Sequence, residues 1–200
     1  METTVSTVGG DLLSNVLSIW WIIIVCLVVI VLFVVTAHNS LIKLREAVKE
    51  ALSDVDAQMQ LRFDLVENLV NTVKGYAIHE KETLTQVIQA RNMYMNATTE
   101  WEKFAANDQL TWVLKTLFAV SENYPDLKAN QNFLQLQSEL SDIENKIAAA
   151  RRFYNSSAKD YNIAIWVFPK NIVAKLFWFT EYEFFKVTDE AAKKAPKVQF

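Results

Sequence analysis

Glycine and proline are nearly missing from this sequence, with three of each in 200 residues, and only Gly75, Pro125, Pro169 and Pro196 lie beyond residue 37. A β-rich or α/β domain needs many turn residues, so this scarcity argues against such folds and predicts few, long helices. Cysteine is scarcer still. Cys26 stands alone inside an apolar stretch, which excludes a disulfide framework, a cysteine zinc site and a cysteine nucleophile elsewhere. Histidine occurs twice, and His79-Glu80 meets Thr83 where a zinc-protease helix needs its second histidine. There is no Gly-rich phosphate loop and no GxSxG elbow. The carboxylates Asp54, Asp56, Asp64, Glu67, Glu80 and Glu82 lack the Glu-x-x-His pairs of a di-metal bundle, so they read as a solvated helix face. Arginine-rich runs are absent too, which argues against a nucleic-acid partner. The expectation is a protein that is not an enzyme, with no catalytic, cofactor-binding or metal-binding residue and no cofactor.

What the sequence does have is one long apolar run. Residues 16–37, VLSIWWIIIVCLVVIVLFVVTA, lie in a stretch with no charged residue between Asp11 and Lys43. About 20 such residues cross a ~30 Å hydrocarbon core as a helix, so a single-pass transmembrane helix is expected here. Residues 1–15 are a short extracytoplasmic N-terminus in this reading, and the apolar run is too long for a cleaved signal peptide. All 20 Lys and Arg follow the span, with Lys43, Arg45 and Lys49 just past it. The positive-inside rule then predicts the inner (cytoplasmic) membrane, with the N-terminus outside and the C-terminal domain in the cytoplasm.

Residues 38–168 read as a helical bundle. Neither Gly nor Pro occurs between residues 16 and 74, so the membrane helix is expected to continue into the first bundle helix. Its stripe is Leu41, Leu44, Val48, Ala51, Val55, Met59, Val66, Leu69 and Val73, and Gly75 is the expected left-handed cap. A second helix is expected over 78–104, with a turn at AANDQ (105–109) and Asp108 as the next N-cap. A third, short helix ends at Tyr124-Pro125, since proline pushes its predecessor out of the helical region. The fourth starts between residues 126 and 130 and carries a coiled-coil seam of Leu136, Leu140, Ile143, Ile147, Ala150, Tyr154, Ser157, Tyr161, Ala164 and Phe168. The fold class is therefore all-α, an N-terminal transmembrane helix continuous with an antiparallel four-helix bundle.

Two features attract functional attention. Arg62 and Arg91 stand out among the charges. Arg91 falls within an apolar stripe, and its expected role is a structural pair, facing the interior, with Asp64 or Glu67 of the first helix. Residues 169–188 form an aromatic and basic C-terminal segment, followed by a flexible tail at 189–200. At 1.5 Å per residue the four helices climb and descend by nearly equal amounts, which returns the segment to bilayer level. Residues 38–150 carry 11 basic against 16 acidic side chains, whereas 151–200 carry 9 against 5. A basic, aromatic quarter suits an anionic membrane surface. Trp166, Phe168, Phe177, Trp178, Phe179, Tyr182, Phe184 and Phe185 are thus candidate interfacial or self-association residues, the alternative being that they cap the bundle core.

Several stretches together resemble the LemA family of bacterial membrane proteins. They are LIKLREAVKEALSDVDAQMQLRFDLVENLVNTVKGYAIHEKETLTQVIQAR (41–91), ENYPDLKANQNFLQLQSELSDIENKIAAARRFYNSSAKDYN (122–162) and FPKNIVAKLF (168–177). The resemblance implies a four-helix bundle after one N-terminal membrane helix and no known catalytic site. It also links some relatives with magnetosome membrane formation and others with membrane metalloproteases. The expected function is a membrane-anchored scaffold that self-associates or organises partners, with membrane lipid and copies of itself as partners. The second expectation is an accessory of a membrane protease or signalling system, with a membrane protein as partner.

Overall fold

The computed structural model describes residues 2–76 and 80–185, with side chains from Leu17 onward. The described residues form six helices and no strand: α1 (Glu2–Lys74), α2 (Lys81–Asn96), α3 (Glu100–Ser121), α4 (Pro125–Lys128), α5 (Gln131–Trp166) and α6 (Lys170–Leu176). His79, Lys186 and the tail at 189–200 lie outside the described residues. The chain divides into two compact units. One combines Met1–Lys49 with Ser156–Phe200, and the other is Glu50–Asn155.

With no proline to interrupt its hydrogen-bond ladder, α1 runs unbroken through His38–Ser40 and begins well before the expected residue 16. In the first unit its side chains stay exposed from Leu17 to Phe33, and burial begins at Ala37 and Leu41. This stretch is long and apolar enough to cross a membrane. Val48, Ala158, Tyr161, Ile165, Val173 and Ala174 add to that unit's interior.

In the second unit α1 buries Ala51, Val55, Met59, Phe63, Val66, Leu69 and Val73, at steps of three and four. Helix α2 adds Leu84, Val87, Ala90 and Tyr94, and α3 adds Leu110, Val113, Leu114 and Leu117. The turn α4 carries Pro125 at its start, where the missing N–H costs nothing, and buries Leu127. Asn130 caps α5, its Oδ1 accepting from the Phe133 N–H at 3.0 Å.

Four local expectations are corrected. The second helix does not reach residue 104. It ends at Asn96, Ala97 is extended, and α3 starts at Glu100 behind a capping box. The Glu102 N–H donates to Thr99 Oγ1, and the Thr99 N–H donates back to the Glu102 carboxylate. Asp108 is accordingly not a cap but lies within α3, where it pairs with Arg151 at 3.1 Å. Gly75 closes α1 without a positive φ, because Tyr76 donates to Val73 in an ordinary turn. The buried line of α5 drifts from the expected seam and runs through Tyr154, Ala158, Tyr161 and Ile165 rather than Ser157, Ala164 and Phe168. A straight helix turns every 3.6 residues, so a strict 3.5 repeat slips off one face over several turns.

Candidate functional site

Arg62 occupies an inward position of α1 between Met59 and Val66, and its side chain is 3% exposed. Its Nη1 donates to Asn107 Oδ1 at 2.8 Å and to Thr111 Oγ1 at 2.9 Å, both on α3. The same nitrogen lies 2.6 Å from Glu144 Oε2 on α5. Burial pushes the guanidinium pKa down and Glu144 pulls against that shift. One cation thus ties three helices together. Beside it opens a cleft of about 260 Å³ lined by Leu114, Phe118, Leu140 and Glu144 among others. The charges here serve one another, which suits a register-fixing hub better than a ligand site. The signal for it was a polar residue at a helical core spacing, Arg62 on α1 and Asn107 on α3.

Arg91 pairs with Glu67, one of its two expected partners, but not in the interior. Its Nη2 meets Glu67 Oε2 at 2.9 Å, with side-chain exposures of 33% and 61%, so the pair sits on the rim and not in the interior. Asp64 is not part of it, since Gln60 Nε2, one turn back, donates to its carboxylate at 2.9 Å. The Phe63 and Tyr94 rings stack at 4.1 Å, and the Tyr94 hydroxyl donates to Asp56 Oδ1 at 3.0 Å. Burial and then that hydrogen bond hold the Tyr94 pKa above the usual phenol range. Lys103 closes the group with an Nζ–Asp56 Oδ2 distance of 3.0 Å. Among the described residues no cluster of His, Cys, Asp and Glu is placed to hold a metal ion.

The aromatic segment belongs to the first unit, and its rings divide into two groups. Phe177 and Phe179 lie 4.6 and 5.7 Å from the His38 ring, and Arg45 stands over Phe179 at 5.4 Å. Tyr182 meets Tyr161 edge-on at 5.3 Å. Asn162 pins this stretch by accepting from the Tyr182 N–H at 3.0 Å and donating to its carbonyl at 2.8 Å. Phe185 is half-buried. Phe179, Tyr182 and Phe185 thus turn toward the unit's own interior, whereas Phe177 is 45% exposed although it meets His38. Trp166, Phe168, Phe184 and Trp178 are exposed instead, although Trp166 Nε1 donates to Glu181 at 2.6 Å. Trp178 is the extreme case at 88% exposed. Its φ of 51° is left-handed, and it follows the C-cap of α6. There the Phe179 N–H donates to the Ala174 carbonyl and the Trp178 N–H to that of Lys175. Glycine is the usual residue at this place in such a motif, and a side chain there costs on the order of 1 kcal/mol.

Residues 51–200 match the model of the LemA family. The chain belongs to the LemA family. Among relatives, it is 31% identical over 141 residues to Protein LemA of Metamycoplasma hominis, covering 68% of this chain and 63% of that protein. It is 23% identical over 188 residues to Magnetosome protein MamQ of Magnetospirillum gryphiswaldense, covering 81% of this chain and 69% of the relative. Magnetosome protein MamQ 2 of Paramagnetospirillum magneticum is 23% identical over 194 residues, covering 82% and 71%. This LemA-family chain thus spans less than two thirds of the mycoplasma relative's length. It joins the family's helical region to an N-terminal helix apolar enough to be a membrane anchor.

Proposed function

We propose that this LemA-family chain is a non-enzymatic, membrane-anchored scaffold that self-associates at the cytoplasmic face of the inner membrane. The observation that carries this reading is the outward face of α3. Trp101 and Trp112 are both exposed and eleven residues apart, which at 100° per residue returns to the same face within ~20°. Ala105 and Ala119 are also exposed on this helix. Trp101 rests edge-on against the buried Phe104 at 5.5 Å, whereas Trp112, 61% exposed, stands outside an interior already filled by Leu110, Val113 and Leu117. Tryptophan is enriched where proteins meet proteins, and two exposed indoles on a face that also carries Asp108 and Lys115 suit a surface of that kind. The cytoplasmic orientation rests on the basic residues, all of which follow the span.

The test is the mass of the full chain extracted in mild detergent. The expected result is a multiple of the chain, and Trp112→Glu reduces it toward one copy while helicity and melting temperature stay unchanged. A single copy bound to a defined second protein in fixed ratio overturns self-association and supports the accessory reading instead.

A further inference from the structure

The outward side of α6 and the residues around it form an apolar surface that stays exposed among the described residues. Phe168, Ile172, Leu176 and Trp178 are all exposed, while Val173 and Ala174 face the unit's interior. Lys170 and Lys175 stand among them. Monomeric soluble proteins seldom leave such a group of large apolar side chains in water. Its location names the occupant. Lys170 Nζ donates to Ser40 Oγ at 3.0 Å, and the Phe177 ring meets that of His38 at 4.6 Å, tilted by 59°. Both partners lie within one or two turns of Val35, where the exposed apolar surface of α1 ends. A helix rises only about 5 Å per turn, so this surface stands at the level where a bilayer holding α1 passes into its headgroup layer.

We propose that Phe168, Ile172, Leu176 and Trp178 form a foot that sits in the interfacial layer of the same bilayer that α1 crosses, with the exposed Lys175 directed to anionic headgroups and Lys170 held at the same level by Ser40. Aromatic rings and aliphatic side chains among lysines are the chemistry of that layer, in which the apolar groups bury to the acyl boundary and the ammonium groups stay with the phosphates. Trp178 supplies a second, independent observation. Its backbone closes α6, but its side chain, at a position where glycine is usual, is thrust almost wholly outward and adds little to the packing of its own unit. Against the bilayer the same geometry aims an indole at the headgroup level. A foot of this kind fixes the rotation and tilt of the first unit on the membrane. It does not depend on self-association through α3.

Fluorophore depth in reconstituted full-length protein tests the foot. Native Cys26, labelled, is the reference for the hydrocarbon core. In a Cys26→Ser background the label goes on Ile172→Cys or Leu176→Cys, with Gln89→Cys on α2 as an aqueous control. The vesicles contain phosphatidylcholine and phosphatidylglycerol, with nitroxides near the carbonyl end or the methyl end of the acyl chains. The expected result is quenching of labels 172 and 176 mainly by the carbonyl-end nitroxide, of label 26 mainly by the methyl-end one, and of label 89 by iodide alone. Trp178→Gly relieves the backbone conformation, so it retains the fold, and it lowers lipid quenching at 176 by roughly half. Iodide quenching of 172 and 176 equal to that of 89 overturns the proposal. Shielding of 172 and 176 from iodide and nitroxide alike, lost on dilution into excess lipid, assigns the surface to a second copy and overturns it as well.

Discussion

Arg62 and Arg91 carry the same charge and both fall within helical stripes, but their surroundings give them different weight. Arg62 is buried and holds Asn107, Thr111 and Glu144 at hydrogen-bonding distance. Arg62→Ala leaves the Asn107 carbonyl oxygen buried without its donor and opens a cavity between helices, so a loss of about 3 kcal/mol is expected in urea unfolding. Arg91 and Glu67 meet in solvent, where long side chains lose entropy to hold a pair and water competes for both. Arg91→Ala is expected to cost less than about 1 kcal/mol. Equal losses for the two variants contradict this assignment. Position in a stripe could not separate them beforehand, because Arg91 sits at the edge of α2's inward face, where a long side chain reaches water.

At the level of elements, the break between α2 and α3 depends on Thr99 and Glu102. The backbone N–H groups of Thr98 and Thr99 donate to the Glu102 carboxylate and hold its pKa below the ordinary value. Since this pKa is lower in the folded than in the unfolded chain, the bonds contribute stability above the unfolded carboxylate pKa. That contribution is lost as pH falls through the folded value. The urea midpoint of the wild type should therefore fall more steeply toward acid pH than that of Glu102→Gln, and parallel curves contradict the box. Thr99→Ala removes the reciprocal bond and should cost about 1 kcal/mol at neutral pH. The T-x-x-E pattern was open to view in the sequence, but AANDQ looks more like a turn by composition. Phe104 and Leu110 on either side of it continue the buried spacing and carry the helix through. The inward line of α1 was legible because Val48, Ala51, Val55, Met59, Val66 and Leu69 are packed in one register that nothing polar disputes until Arg62. The left-handed Trp178 was not legible, because that conformation favours glycine and the sequence has none there, while tertiary contacts, the Asn162–Tyr182 pair included, hold the chain beyond it.

For the whole molecule, charge decides which side of the membrane each end occupies. Residues 1–15 carry Glu2 and Asp11 and no Lys or Arg, while Lys43, Arg45 and Lys49 follow the apolar run within a few turns. Basic residues near a span resist transfer across a membrane far more than acidic ones do, and the proposed cytoplasmic C-terminal side rests on this asymmetry. Glu46 reduces the local positive charge by pairing with Lys49 at 2.9 Å, but the rule counts Lys and Arg and takes little account of carboxylates. External protease added to intact spheroplasts should then leave everything beyond residue 38 undigested. The same protease after lysis should reach exposed sites such as Lys81 on α2 and Arg152 on α5. Moving the charge tests the cause as well as the result. Lys43→Gln, Arg45→Gln and Lys49→Gln together with new lysines in residues 1–15 should place a fraction of the chains the other way round, made visible by cleavage without lysis. Digestion of the unaltered chain to a membrane-protected stub in intact spheroplasts means the opposite orientation. The foot at Phe168, Ile172, Leu176 and Trp178 would then face the outer leaflet of that membrane.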